Sequence, residues 1–93
     1  MSQAMYRRSA ETIFTRVEED ILALNVRGGR CYGMENVTAE VWRMLAEPMD
    51  ITSICSRLTI DYDVDPSVCR EDVERLIAQF KSEGLIEELN ATG

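Results

Sequence analysis

The sequence contains no histidine, and with it goes the commonest general base and metal ligand near neutral pH. Most hydrolase mechanisms are thereby excluded. Its three cysteines, Cys31, Cys55 and Cys69, are an odd number without CxxC spacing, which points to neither a disulfide framework nor a zinc site. Cys55 and Cys69 lie beside apolar positions in helical patterns and read as packing residues, whereas Cys31 is the more exposed thiol. Gly28, Gly29 and Gly33 form neither GxGxxG nor a phosphate loop. No apolar run approaches the roughly 18 residues of a membrane helix, and no signal segment precedes the first apolar stretch. A reduced, cytoplasmic setting without membrane contact is expected.

An excess of positive charge is also missing. Seventeen acidic against ten basic residues leave a net charge of −7, which repels phosphate backbones and anionic lipid. The densest basic stretch, Tyr6-Arg7-Arg8, is too small to anchor nucleic acid. The carboxylate pairs Glu18-Glu19, Glu71-Asp72 and Glu87-Glu88 are sequence neighbours in turns or on helix surfaces and read as solvated faces. No catalytic residue, metal site or cofactor site is indicated, so the chain is not expected to be an enzyme.

What is present is one domain's worth of periodic pattern in 93 residues, 45% of them hydrophobic. Residues 1–11 read as a flexible tail, 12–89 as the domain and 90–93 as a C-terminal tail. Thr12 to Val17 is rich in β-branched and aromatic residues and forms a first strand, followed by the polar turn Glu18-Glu19-Asp20. Ile21 to Val26 places Leu22, Leu24 and Val26 on one face at period two, and Arg27-Gly28-Gly29 supplies the positive-φ positions of a hairpin. Arg30 to Met34 is a short third strand, with Tyr32 and Met34 on one face and Cys31 and Gly33 on the other. Its brevity marks an edge.

Three helices follow. Asn36 is the N-cap of the first, running to about Ala46 with Val37, Val41, Met44 and Leu45 on its stripe and Trp42 beside it. Asp50 caps the second, with Ile51, Ile54, Cys55, Leu58 and Tyr62 at helical spacing. Asp65-Pro66 opens the third, whose stripe is Val68, Val73, Leu76, Ile77 and Phe80, and Lys81 and Gly84 fit its C-terminus. Leu85 and Ile86 should fold back on the core. The fold class is α+β, winged helix-turn-helix-like, with a three-stranded antiparallel sheet followed by three helices.

A winged helix would ordinarily read DNA with its third helix, but here that helix carries three cations against five carboxylates, where a DNA reader needs cations. A regulator that binds duplex DNA is therefore the weaker alternative. The remaining device is the edge strand, whose unpaired N–H and C=O groups can accept a peptide as a further strand.

The run from Leu24-Asn25 through Gly29-Arg30-Cys31-Tyr32-Gly33-Met34-Glu35-Asn36 to Val41-Trp42-Arg43-Met44-Leu45, with Asp72-Val73, Leu76-Ile77, Phe80 and Gly84-Leu85-Ile86, resembles the PqqD-like family. These are the recognition elements of ribosomally made, post-translationally modified peptide (RiPP) pathways, and the resemblance spans about Thr12 to Leu89. It is most similar to the stand-alone leader-binding proteins of lasso peptide biosynthesis. The resemblance implies that a precursor's leader segment adds as an antiparallel strand beside Arg30, Cys31, Tyr32, Gly33 and Met34. It packs against the third helix, where Asp72, Arg75, Leu76 and Gln79 face the groove by the 100° step per residue. It further implies a leader with a Tyr-x-x-Pro pattern, delivery to a transglutaminase-like cysteine leader peptidase, and an asparagine-synthetase-like cyclase downstream. The family commonly has an aromatic residue at the position of Cys31 and leucine at that of Met34, so the accepted leader should differ. An adaptor for a radical SAM or other modifying enzyme of another such pathway shares the same fold and groove.

Overall fold

The computed structural model describes residues 4–89, and no helix among them is long and apolar enough to cross a membrane. Eight elements follow in order: β1 (Met5–Arg8), β2 (Thr12–Val17), β3 (Asp20–Asn25), β4 (Cys31–Met34), α1 (Asn36–Met44), α2 (Ile51–Asp61), α3 (Pro66–Ser82) and β5 (Ile86–Leu89). The α+β architecture is the one expected, with β2-β3-β4 an antiparallel sheet and three helices after it. A second, two-stranded sheet, β1-β5, is added.

That second sheet corrects the reading of residues 1–11 as a flexible tail. Met5 lies opposite Leu89 and Arg8 opposite Ile86. Tyr6 and Met49 exchange backbone bonds of 2.8 and 2.9 Å. The Arg8 guanidinium lies over the rings of Phe14 and Trp42, and its Nε donates to the Trp42 carbonyl at 2.9 Å, which closes the C-terminal end of α1. Two four-residue runs far apart in sequence show no strand signal singly; each becomes a strand because the other pairs with it. Residues 1–3 and the expected tail 90–93 lie outside the described residues.

Trp42, Phe80, Leu45, Ile54, Val41 and Leu85 are fully buried, and burial of a large apolar side chain stabilises by about 1.5–3 kcal/mol. Trp42 lies edge-on to Phe14 at 5.6 Å and to Phe80 at 5.8 Å, and Phe80 is in turn edge-on to Tyr32 at 5.8 Å. The buried Trp42 indole N–H finds no acceptor among the described residues. Leu85 and Ile86 fold back on the core as expected.

The helices differ from expectation in which face is buried. In α1 the buried residues are Ala39, Val41 and Trp42, with Leu45 just beyond, whereas Val37 is exposed and Met44 partly so. Glu35, not Asn36, is the N-cap, and Asn36 takes a left-handed φ of 54°, a conformation asparagine tolerates. In α3 the buried stripe is Cys69, Val73, Ile77 and Phe80, and Val68 is exposed. Asp50 and Asp65 cap as expected, accepting bonds from Ser53 N–H and from Ser67 and Val68 N–H. Gly84 ends α3 with φ +73°.

The β2-β3-β4 sheet presents two unlike faces. Residues directly opposite share a face, so Phe14, Ala23 and Tyr32 point to the helices with Ile21 and Met34, and Ile21, Ala23 and Met34 are buried. Leu22, Leu24 and Val26, the face with the larger side chains, point away with Ile13, Thr15, Val17, Cys31 and Gly33. The smaller Ala23 is needed inside because the aromatic row of Phe14, Trp42 and Phe80 occupies that space.

Two consequences can be measured. The carboxyls of Asp65, through its bonds from Ser67, and of Asp50, through Ser53 N–H, are held below the ordinary range. A folded value below the unfolded one contributes stability above the unfolded pKa that is lost as pH falls through the folded value. The urea midpoint should therefore decline below about pH 4, and Asp50→Asn with Asp65→Asn should flatten that decline. Gly84→Ala would hold alanine at positive φ with its Cβ 3.0 Å from the Asn25 amide nitrogen, which now donates to the Gly84 carbonyl at 2.6 Å. It should lower unfolding stability by about 1–2 kcal/mol.

Candidate functional site

In the strand order β2-β3-β4, β4 is one of the two edges of the sheet and β2 the other. Which of the β4 backbone groups face outward follows from the ladder. Opposed residues of an antiparallel pair alternate between exchanging hydrogen bonds and not, and Val26 N–H donates to the Glu11 carbonyl at 2.9 Å in register with β2 and β3. Leu22 and Leu24 therefore bond to β2, and Ile21 and Ala23 bond to Met34 and Tyr32. The N–H and C=O groups of Cys31 and Gly33 are left pointing to the open edge.

The sequence-predicted residues of this strand thus divide by role. Met34 is buried and serves as a core residue. Tyr32 is half-buried with its ring against Phe80 of α3, and burial, with Glu83 second, pushes its phenol up. The Cys31 side chain lies on the outer face and Gly33 has none, so their backbone is what they bring to the edge. Arg30 precedes β4, and its guanidinium reaches Glu83 at 3.4 Å. Glu83, mostly covered, was not singled out from sequence, because its significance comes only from the return of α3 alongside β4.

These contacts lay β4 along α3 in opposite sense: Arg30 meets Glu83, Tyr32 meets Phe80, and the chain then enters α1 beside the middle of α3. There a cavity of about 400 Å³ is lined by Asp72, Arg75, Leu76 and Gln79, together with Val37, Thr38 and Val73. All four helix residues expected to face a groove line this one cavity, but its opposite wall is the start of α1 and none of residues 30–34 lines it. Leu76 supplies an apolar wall, and Asp72 and Arg75 pair with each other at 3.2 Å on the exposed rim. Such a solvated pair is worth little to stability and opens at low cost. A smaller cavity of about 150 Å³ adjoins it, sharing Val37, Asp72 and Val73 and closed by Leu58, Tyr62 and Val68. Val37 and Val68 were assigned to core stripes from sequence; their exposure is what makes them walls.

Burial, and after it the Cys69 thiol alongside, pushes the Cys55 thiol up to about 11. Cys69 is buried as expected, Cys55 only partly, and Cys31 is exposed. Among the described residues no three His, Cys, Asp or Glu side chains come together to hold a metal ion. The arrangement offers a backbone edge, an apolar-walled cleft and a polar rim, which suits an extended peptide.

Known structures share this architecture. One described as TbiB1 in complex with the TbiA(beta) leader peptide superposes with a TM-score of 0.81 at 18% identity, covering 87% of this chain and 94% of that one. A lasso peptide synthetase B1 complexed with the leader peptide superposes at 0.78, also with 18% identity, covering 88% and 96%. No curated protein sequence is a match for this chain. The family model described as coenzyme PQQ synthesis protein D (PqqD) matches residues 20–86, from the start of β3 through α3 into β5, and the chain belongs to that family.

Proposed function

We propose that this protein binds the leader segment of a ribosomally made precursor peptide and presents it to a leader peptidase in lasso peptide biosynthesis. The observation that carries the reading is the open edge at Cys31 and Gly33, lying beside a cleft walled by Leu76, Gln79, Asp72 and Arg75. A leader strand paired with Cys31 and Gly33 gains ladder bonds that do not depend on its sequence, and its inward side chains then meet the α3 cleft, which supplies selectivity. Membership of the PqqD family supports this reading, as do the leader peptides bound to the two similar structures. The peptidase is the transglutaminase-like cysteine protease that the resemblance implies, with the asparagine-synthetase-like cyclase acting after it. This chain delivers and does no chemistry itself.

A fluorescently labelled leader peptide carrying Tyr-x-x-Pro should bind saturably, and one with the tyrosine and proline replaced by alanine should not. Absence of binding by either would move the function to another modified-peptide pathway, such as one with a radical SAM enzyme. Gly33→Pro should abolish binding with the circular dichroism spectrum retained, because it removes a donor aimed at the open edge and none aimed at β3. Gly33→Ala should bind normally, since the nearest atom to its Cβ, in Leu22, is 3.7 Å away. Leu76→Asp should weaken binding by about tenfold or more. Unchanged affinity in Gly33→Pro would reject the strand-addition mode.

A further inference from the structure

The outer face of the β2-β3-β4 sheet breaks the usual pattern of an antiparallel sheet, in which the face opposite the core is polar. Ile13 is 61% exposed, Val17 50%, Leu22 41% and Val26 57%, and Leu24 and Cys31 lie between them. Between Glu11 at one end and Asp20 at the other this face carries no charged side chain, in a chain of which 29% is charged. None of the described elements packs over it. A contiguous exposed apolar face of this kind marks a contact surface.

Charge decides what covers it. The turn Glu18-Glu19-Asp20 borders one end, and among the described residues none of its carboxylates has an ion-pair partner. At the opposite end Arg27 and Arg30 already pair with Glu11 and Glu83. A second copy of this chain would bring its own acidic turn and its own −7 charge, which opposes association. The surface fits a different protein, one with an apolar patch flanked by lysine or arginine.

Geometry then narrows which protein. A strand added at the open edge of β4 continues this same sheet, and alternate side chains of that strand project onto this same outer face. Whatever covers the face meets the recognition chain and the bound leader together. We infer that the outer face of β2-β3-β4 is the docking surface for the enzyme that processes the leader-bearing precursor, its cations opposed to the Glu18–Asp20 turn. This rests on the leader-binding reading above, and it makes the docking surface distinct from the α3 cleft.

The test uses the full chain, the leader peptide and the purified leader peptidase of the same pathway. Leu22→Glu and Ile13→Glu change exposed positions and should leave the thermal unfolding profile in place. Each should weaken peptidase binding by about tenfold or more while leader peptide affinity stays at the wild-type value. Glu18→Lys with Glu19→Lys should weaken peptidase binding and reduce its dependence on salt. In the wild-type chain without leader, saturating peptidase should protect Cys31, the exposed thiol, from alkylation by a maleimide. Wild-type peptidase affinity in the Leu22 and Ile13 variants, full alkylation of Cys31 in the presence of peptidase, or no peptidase binding to the wild-type chain would each overturn the inference. So would sedimentation showing that these variants abolish a self-association of the wild type. Failure of the leader peptide to bind, with face-dependent peptidase docking intact, would instead remove the leader-binding reading and leave the docking surface.

Discussion

The contact between Phe80 and its two aromatic neighbours fixes the spacing on which the molecule depends. Phe80 lies edge-on to Trp42 on one side and to Tyr32 on the other, and Trp42 lies edge-on to Phe14 in turn. The row crosses four elements, β2, α1, α3 and β4, and Arg8 of β1 closes its far end over Phe14 and Trp42. Because core packing is close to crystalline in density, the separation of β4 from α3 cannot drift. The cleft beside them is therefore held at a fixed width by the core.

Around this row, short polar locks hold the ends of the elements. The Asn25 amide donates to the Gly84 carbonyl at 2.6 Å, while its side-chain oxygen accepts from Arg27 and Gly28 N–H. One side chain therefore ties the β3-β4 turn to the end of α3. Lys81 and Glu88 pair at 2.7 Å between α3 and β5, and the hydrogen bond that the ammonium donates to the Glu88 carboxylate pushes the lysine up. These contacts are solvated and each is modest, but they act where strands and helices change direction and so set the approach of β4 to α3.

An open edge and an uncharged outer face are both aggregation liabilities in an isolated domain. Here β4 has only four residues and the chain carries strong net negative charge, two features that discourage edge-to-edge growth. Retaining both liabilities is consistent with the proposed role of these surfaces in contacts with other chains, one a strand and the other a folded partner.

The sequence by itself determined the order of the central sheet's strands and the three helices. Local chemistry sufficed for that: β-branched runs broken by a polar turn and by diglycine, Asp50 and Asp65 as caps, Pro66 at a helix start, and Gly84 at its end. It also marked β4 as an edge, and it picked four α3 residues that share one cavity, because the 100° helical step is a local property. Tertiary structure alone decided the rest. The strand identity of Met5–Arg8 required Ile86–Leu89, about eighty positions away, and no window of sequence contains both. The inward face of β3 was decided by the space left beside Trp42 and Phe80, which admits Ala23 and turns Leu22 outward, although period two by itself favours the larger set. Val37 and Val68 became cavity walls for the same reason: periodicity says which residues share a face, and only packing says which face is covered.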